Sequence, residues 1–161
     1  MRIGLLSDTH DDLCDWPAVR DRVATALAGV DLIVHCGDLT TIAVLDDLEK
    51  VAPVRATRNS GDPDAIPGRL DDGPIVIDAD GAEIGVTFEL PDPPAGRDWA
   101  EMFGRRVDVV VFGGTHAPLV EQDGDVLLVN PGSPSLAAQL TVAELVVGDG
   151  PPSARIIGVP A

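Results

Sequence analysis

Five positions in this chain carry side chains suited to chemistry by type and spacing: Asp8, His10, Asp38, Asn59 and His116. Asp8 and His10 stand at i and i+2 after the apolar run Ile-Gly-Leu-Leu. In an extended chain that spacing sends a carboxylate and an imidazole out on the same side. Asp38, Asn59 and His116 each follow a further apolar run, at residues 32–35, 51–57 and 107–112. Hard oxygen donors mixed with imidazoles suit a divalent cation such as Mn²⁺, Fe²⁺ or Zn²⁺ and do not suit a closed thiolate site. An Asp between two cations can bridge them, and a pair of cations about 3.5–4 Å apart holds both the attacking and the leaving oxygen of a phosphoryl displacement.

The elements that must position these residues change in character along the chain. The first apolar run reads as a strand, and Asp15-Trp16-Pro17 reads as a helix start with Asp15 as N-cap. Val19, Val23, Ala26 and Leu27 supply the apolar face of a helix over 16–28, and Gly29 is its stop. A strand over 32–35 and a helix from Thr40 or Thr41 to Lys50 repeat the alternation, which predicts a parallel α/β core. A third strand is expected over 51–57, then an irregular stretch over 63–72. From Ile75 onward the pattern turns antiparallel, with hairpins expected about Asp80-Gly81, Asp123-Gly124 and the loop 149–152. A short helix over 98–106 and a buried strand over 107–112 lie between the first two hairpins.

The composition narrows the class. With 161 residues the chain is expected to be a single domain over 1–161, long enough for a core of its own. The net charge is −16, with 27 acidic residues against ten Arg and the single Lys50. Such a surface repels nucleic-acid duplexes and anionic membranes. An acidic, Lys-poor surface also suits a salt-accumulating cell, in which ions screen the self-repulsion. Cys14 and Cys36 lack CxxC spacing, and no signal-peptide or membrane-spanning run is present, so a reducing cytoplasm is the expected setting.

Taken in order, Asp8-Thr9-His10, Gly37-Asp38, Asn59, Gly113-Gly114-Thr115-His116 and Asn130-Pro131-Gly132-Ser133 resemble the calcineurin-like metallophosphoesterase superfamily. The likeness is to its small single-domain phosphodiesterase branch, which includes the retromer small subunit. It implies an α/β fold, a four-layer sandwich of two mixed β-sheets flanked by helices. It also implies metal-assisted hydrolysis of a small phosphate ester or diester, with Mn²⁺ the first candidate and Fe²⁺, Zn²⁺ or Ni²⁺ the others. By position, Asp8, His10 and His116 hold a first metal, Asp38 bridges, and Asn59 belongs to the second; Asp38, Asn59 and His116 face the chemistry.

The chain departs from that pattern at the second metal. Phe88-Glu89 stands where the family has a His-Gly pair, Gly114 where it has the first His of Gly-His-Thr-His, and Arg58 and Ser60 flank Asn59. Only His10, His35 and His116 are available as imidazoles, so a displaced His cannot substitute. Glu89 or Asp92 is a candidate replacement carboxylate, Phe88 is expected to fill the emptied space, and Asn59 reads equally as a turn former. His35 is expected to orient its neighbours by hydrogen bonds, and Cys36 to be a core residue. The alternative to an incomplete hydrolase is a protein-binding module on the same scaffold, and a third reading is a purely structural metal. A homo-oligomer is compatible with any of these.

Overall fold

The computed structural model describes residues 1–160. Its elements in order are β1 (Arg2–Leu6), α1 (Trp16–Ala26), β2 (Leu32–His35), α2 (Ala43–Leu48), β3 (Val54–Arg58), β4 (Leu70–Asp72), β5 (Ile75–Ala79), β6 (Ala82–Val86), α3 (Trp99–Phe103), β7 (Val109–Val111), β8 (Leu119–Asp123), β9 (Val126–Asn130), β10 (Thr141–Val146) and β11 (Ser153–Gly158). They form a six-stranded sheet of order β11-β10-β1-β2-β3-β4 and a five-stranded sheet of order β5-β6-β7-β9-β8. Both sheets are mixed. In the first, β1 to β4 are parallel and β10 joins β1 antiparallel. In the second, β6, β7 and β9 are parallel between two antiparallel edges.

Strand alternation sorts the apolar residues into layers. Ile3 and Leu5 of β1 meet Ile84, Val86, Val109 and Val111 of the other sheet in a core between the two. Leu6, pointing the other way, packs with Val19, Val23, Leu45 and Leu48 under α1 and α2. Val110 and Phe112 face outward from the second sheet toward Trp99 of α3. A fully buried side chain of this kind is worth about 1.5–3 kcal/mol. The result is the expected sandwich of two mixed sheets with helices outside, and Cys36 lies buried in its central layer.

Local expectations differ from the structure in instructive places. The second helix begins at Ala43 without a side-chain cap, because Thr40 Oγ1 donates to Asp12 at 2.9 Å and Thr41 Oγ1 donates to Asp11. Asp15 sits at the N-cap of α1 with no side-chain bond, and the helix ends two residues early at Ala26. Residues 51–53 are not strand; the Pro53 carbonyl instead receives the Ile33 N–H at 2.8 Å. Within the stretch expected to be irregular, Leu70–Asp72 adds a short parallel strand to β3. Gly104, at φ 69°, stops α3 before Arg106.

Candidate metal centre

The centre is built where β1, β2 and β7 end and their following loops cross. Asp8 N–H donates to the Gly37 carbonyl at 3.0 Å, and His10 N–H to the Asp38 carbonyl at 3.2 Å. Asp8, His10, Asp38 and His116 all take positive φ, at 55°, 43°, 61° and 57°. That region is sparsely populated by non-glycine residues, with Asp and His among the better tolerated, and its cost is of order 1–3 kcal/mol per residue. Four such residues at one point mark a site held in shape by its surroundings.

The four offer ligand atoms that lie within 4.8 Å of one another. His10 Nε2 is 3.1 Å from Asp38 Oδ2 and 3.2 Å from His116 Nε2, which in turn is 3.3 Å from Asp8 Oδ1. His116 Nδ1 donates to the Leu136 carbonyl at 2.7 Å, so Nε2 carries the lone pair that faces the cluster. Asp8 is fully buried; its Oδ2 accepts the Gly114 N–H at 3.0 Å, while Oδ1 has no hydrogen-bond partner among the described residues. Burial pushes the Asp8 carboxyl above its ordinary range, against the opposing pull of the Ser7 hydroxyl, the Gly114 N–H and His116. An orphaned buried carboxylate oxygen and two facing imidazole nitrogens are a donor set that fits a divalent cation.

Asn59 lies on the cleft beside Asp38, which it shares with Ser60, Phe88, Glu89 and Gly114 and which encloses about 570 Å³. Its Oδ1 accepts the N–H groups of Gly61 at 2.7 Å and Asp62 at 3.0 Å, the bonding of a turn former, and its Nδ2 makes no hydrogen bond among the described residues. Phe88 does occupy the space next to Gly37, where a Cβ would come within 2.9 Å of its ring. Glu89 lies over Gly114, whose Cβ would meet Glu89 Cγ at 2.7 Å. Glu89 is exposed, and Asp92 lines a different, apolar hollow with Leu90 and Phe112.

Three supporting residues complete the frame. His35 is fully buried: Gly37 N–H donates to its Nδ1 at 3.1 Å, so its Nε2–H faces Thr9 Oγ1 at 3.2 Å. It thereby joins the loop of Asp8 and His10 to the loop of Asp38, as a hydrogen-bonded support was expected to. Asp62 was not singled out from the sequence, yet its carboxylate accepts four backbone N–H groups, from Leu39 and Thr40 on Oδ1 and from Asp38 and Asn59 on Oδ2, at 2.8–3.0 Å. The one signal for it was a turn, Asn59-Ser60-Gly61, closing on an acid. Gly113 is the third, since a Cβ there would overlap the Ser7 hydroxyl and approach Asp8 Oδ2 to 2.9 Å.

Residues 1–149 match the family model described as the calcineurin-like phosphoesterase superfamily domain. The chain belongs to that superfamily. It is 35% identical to a probable metallophosphoesterase of Methanocaldococcus jannaschii over 142 residues, which cover 84% of this chain and 69% of that one. The solved structure of a novel archaeal phosphodiesterase superposes with a TM-score of 0.74 at 25% identity, covering 99% of this chain and 100% of the other. Vps29 of Chaetomium thermophilum superposes with a TM-score of 0.71 at 19% identity over 99% and 97% of the two chains, a likeness of fold. Within this superfamily the present chain keeps one cluster of Asp8, His10, Asp38 and His116 and carries Phe88 and Gly114 beside it.

Proposed function

We propose that this protein hydrolyses phosphate esters, diesters in preference, at one divalent cation held by Asp8, His10, Asp38 and His116, with water as the nucleophile. The observation that carries the reading is the buried Asp8 carboxylate, whose Oδ1 has no hydrogen-bond partner among the described residues while two imidazole Nε2 atoms face the same point. A divalent cation supplies Lewis acidity there, polarising a phosphoryl oxygen and lowering the pKa of water. The carboxylates of Asp8 and Asp38 balance the cation's charge, and the Leu136 carbonyl holds His116 in the tautomer that binds. Asp38 and Asn59 line the same open cleft, which supports a role for Asn59 Nδ2 as a donor to a phosphate oxygen. Two carboxylates beside two imidazoles suit Mn²⁺, Fe²⁺, Zn²⁺ or Ni²⁺, and Mn²⁺ is the first candidate on the family resemblance. Phe88 stands beside Gly37, and among the described residues no imidazole lines the cleft of Asp38 and Asn59 for a second cation, which makes a slow, single-metal enzyme the expected form.

The test is Mn²⁺ titration of the protein in high salt, run beside hydrolysis of bis-p-nitrophenyl phosphate. One ion per chain with turnover that Asp38→Ala abolishes is the expected result. Two tight ions would remove the single-metal form, and one ion without turnover would leave the protein-binding scaffold as the better reading.

A further inference from the structure

A second concavity, of about 310 Å³, adjoins the segment that carries His116, since Thr115 and Ala117 are among its lining residues. That volume lies within the roughly 300–1,000 Å³ of small-molecule sites. Its walls are largely apolar. Phe112 and Leu119 contribute from the second sheet, and Leu90, Pro94 and Pro118 from the adjoining loops. The buried Asn130 also lines it but is fully committed: Nδ2 donates to the Gly113 carbonyl at 3.3 Å and to Thr115 Oγ1 at 3.1 Å, and Oδ1 accepts the Gly132 N–H at 2.9 Å. Thr115 Oγ1 is thereby engaged as well. Asp92 remains, an exposed carboxylate on the lining with no hydrogen bond or ion pair among the described residues. The nearby Arg97 is spent elsewhere, because Nε donates to the Pro94 carbonyl at 3.1 Å and Nη2 to the carbonyls of Pro91 at 2.5 Å and Pro93 at 2.8 Å. Those bonds fix the shape of the loop that forms one wall.

We propose that this hollow is a binding site for a small hydrophobic ammonium compound, its apolar part against Leu90, Phe112 and Leu119 and its charged end at Asp92. The walls offer no free donor for an anion, and Asp92 together with a net charge of −16 opposes one. With the hydroxyl of Thr115 and the amide of Asn130 already paired, the enclosed part of the occupant has to be apolar. A positive group at the one unpaired carboxylate completes the match of charge. The site shares no lining residue with the cleft over Asp38, so the proposal does not depend on the phosphoesterase reading. An occupant would lie against Thr115 and Ala117, the residues on either side of His116.

The test is calorimetry on the full, Mn²⁺-loaded chain at pH 7 with phenethylammonium, 2-phenylethanol, phenylacetate and methylammonium. The first three share a phenyl ring and differ in charge, and the fourth has the charge without the ring. In 1 M KCl the Debye length is about 3 Å, which removes the general pull of an acidic surface on cations and screens a pair in a partly enclosed hollow much less. Phenethylammonium is expected to bind with a Kd of about 1 mM, about 5-fold tighter than phenylethanol, with phenylacetate and methylammonium weaker still. Asp92→Asn is expected to bring phenethylammonium down to the level of phenylethanol, and Ala117→Phe, which adds a ring beside the hollow, to weaken both. Both positions are exposed, and an unchanged thermal midpoint and Mn²⁺ affinity confirm that each variant keeps its fold and its centre. No binding of phenethylammonium at ten times that concentration, equal binding of methylammonium or of phenylacetate, or a preference for the ammonium that survives Asp92→Asn would overturn the site.

Discussion

Left-handed backbone is the property that Asp8, His10, Asp38 and His116 share, and neighbouring residues maintain it. His35 is one of them, buried and neutral, its imidazolium disfavoured by burial so that its pKa falls from 6.5 to about 4. Between those values the unfolded chain binds a proton that the folded chain refuses. The stability contributed by His35 is therefore complete above pH 6.5 and is lost as the pH falls toward 4. Asp8 acts in the opposite sense, since its raised pKa makes its charge a cost to the cation-free fold as the pH rises. The thermal midpoint of the chelated protein is expected to fall from pH 7 to pH 5, and His35→Gln, which keeps one donor and one acceptor, to flatten that fall. An equally steep fall in the variant would assign the pH dependence elsewhere. The type and order of the ligands were legible in the sequence. Their backbone conformation was not, because positive φ at Asp or His is imposed by the loops that cross there.

Loops rather than strands decide whether the centre holds together, and the Asp62 carboxylate is the clearest case. It ties the segment 38–40 to Asn59 across the ends of β2 and β3. In Asp62→Asn an amide N–H replaces one acceptor oxygen and opposes backbone donors, and each buried donor left unpaired costs about 1–3 kcal/mol. All four cluster residues stay in place, yet Mn²⁺ affinity is expected to weaken by roughly 10-fold and the thermal midpoint to fall. Unchanged Mn²⁺ binding would show that the cluster does not depend on this tie. The hairpins about Asp80-Gly81 and Asp123-Gly124 were legible because their turn residues act locally. The cap of α2 was misread because Thr40 and Thr41 bond across space to Asp12 and Asp11 instead of to their own helix, whereas Asp15 does stand at the N-cap of α1, though without a side-chain bond.

At the scale of the molecule the dominant fact is the net charge of −16, spread over a surface on which single Arg residues pair with the acids. Self-repulsion of that size is screened as the Debye length shortens from about 10 Å at 0.1 M salt to about 3 Å at 1 M. We propose a salt-rich cytoplasm as its setting. The thermal midpoint is expected to rise from 0.1 M to 2 M KCl, and to rise similarly in NaCl, because screening depends on ionic strength. A flat response would remove the halophilic reading. Among the described residues no helix is long and apolar enough to cross a membrane.

The sequence by itself determined the layered α/β plan, and with the family resemblance it named Asp8, His10, Asp38 and His116, which the structure clusters, together with Asn59, which lies outside that cluster. The resemblance to the superfamily also implied that the second-metal imidazoles are missing, since Phe88 and Gly114 stand where its pattern has His. Only the tertiary structure decided that Asn59 spends its oxygen on a turn, that Phe88 and Glu89 stand over Gly37 and Gly114, and that Asp62, His35 and Gly113 frame the site. These depend on which loops meet at the ends of β1, β2 and β7. Such meetings join residues far apart in the chain, and no local pattern encodes them.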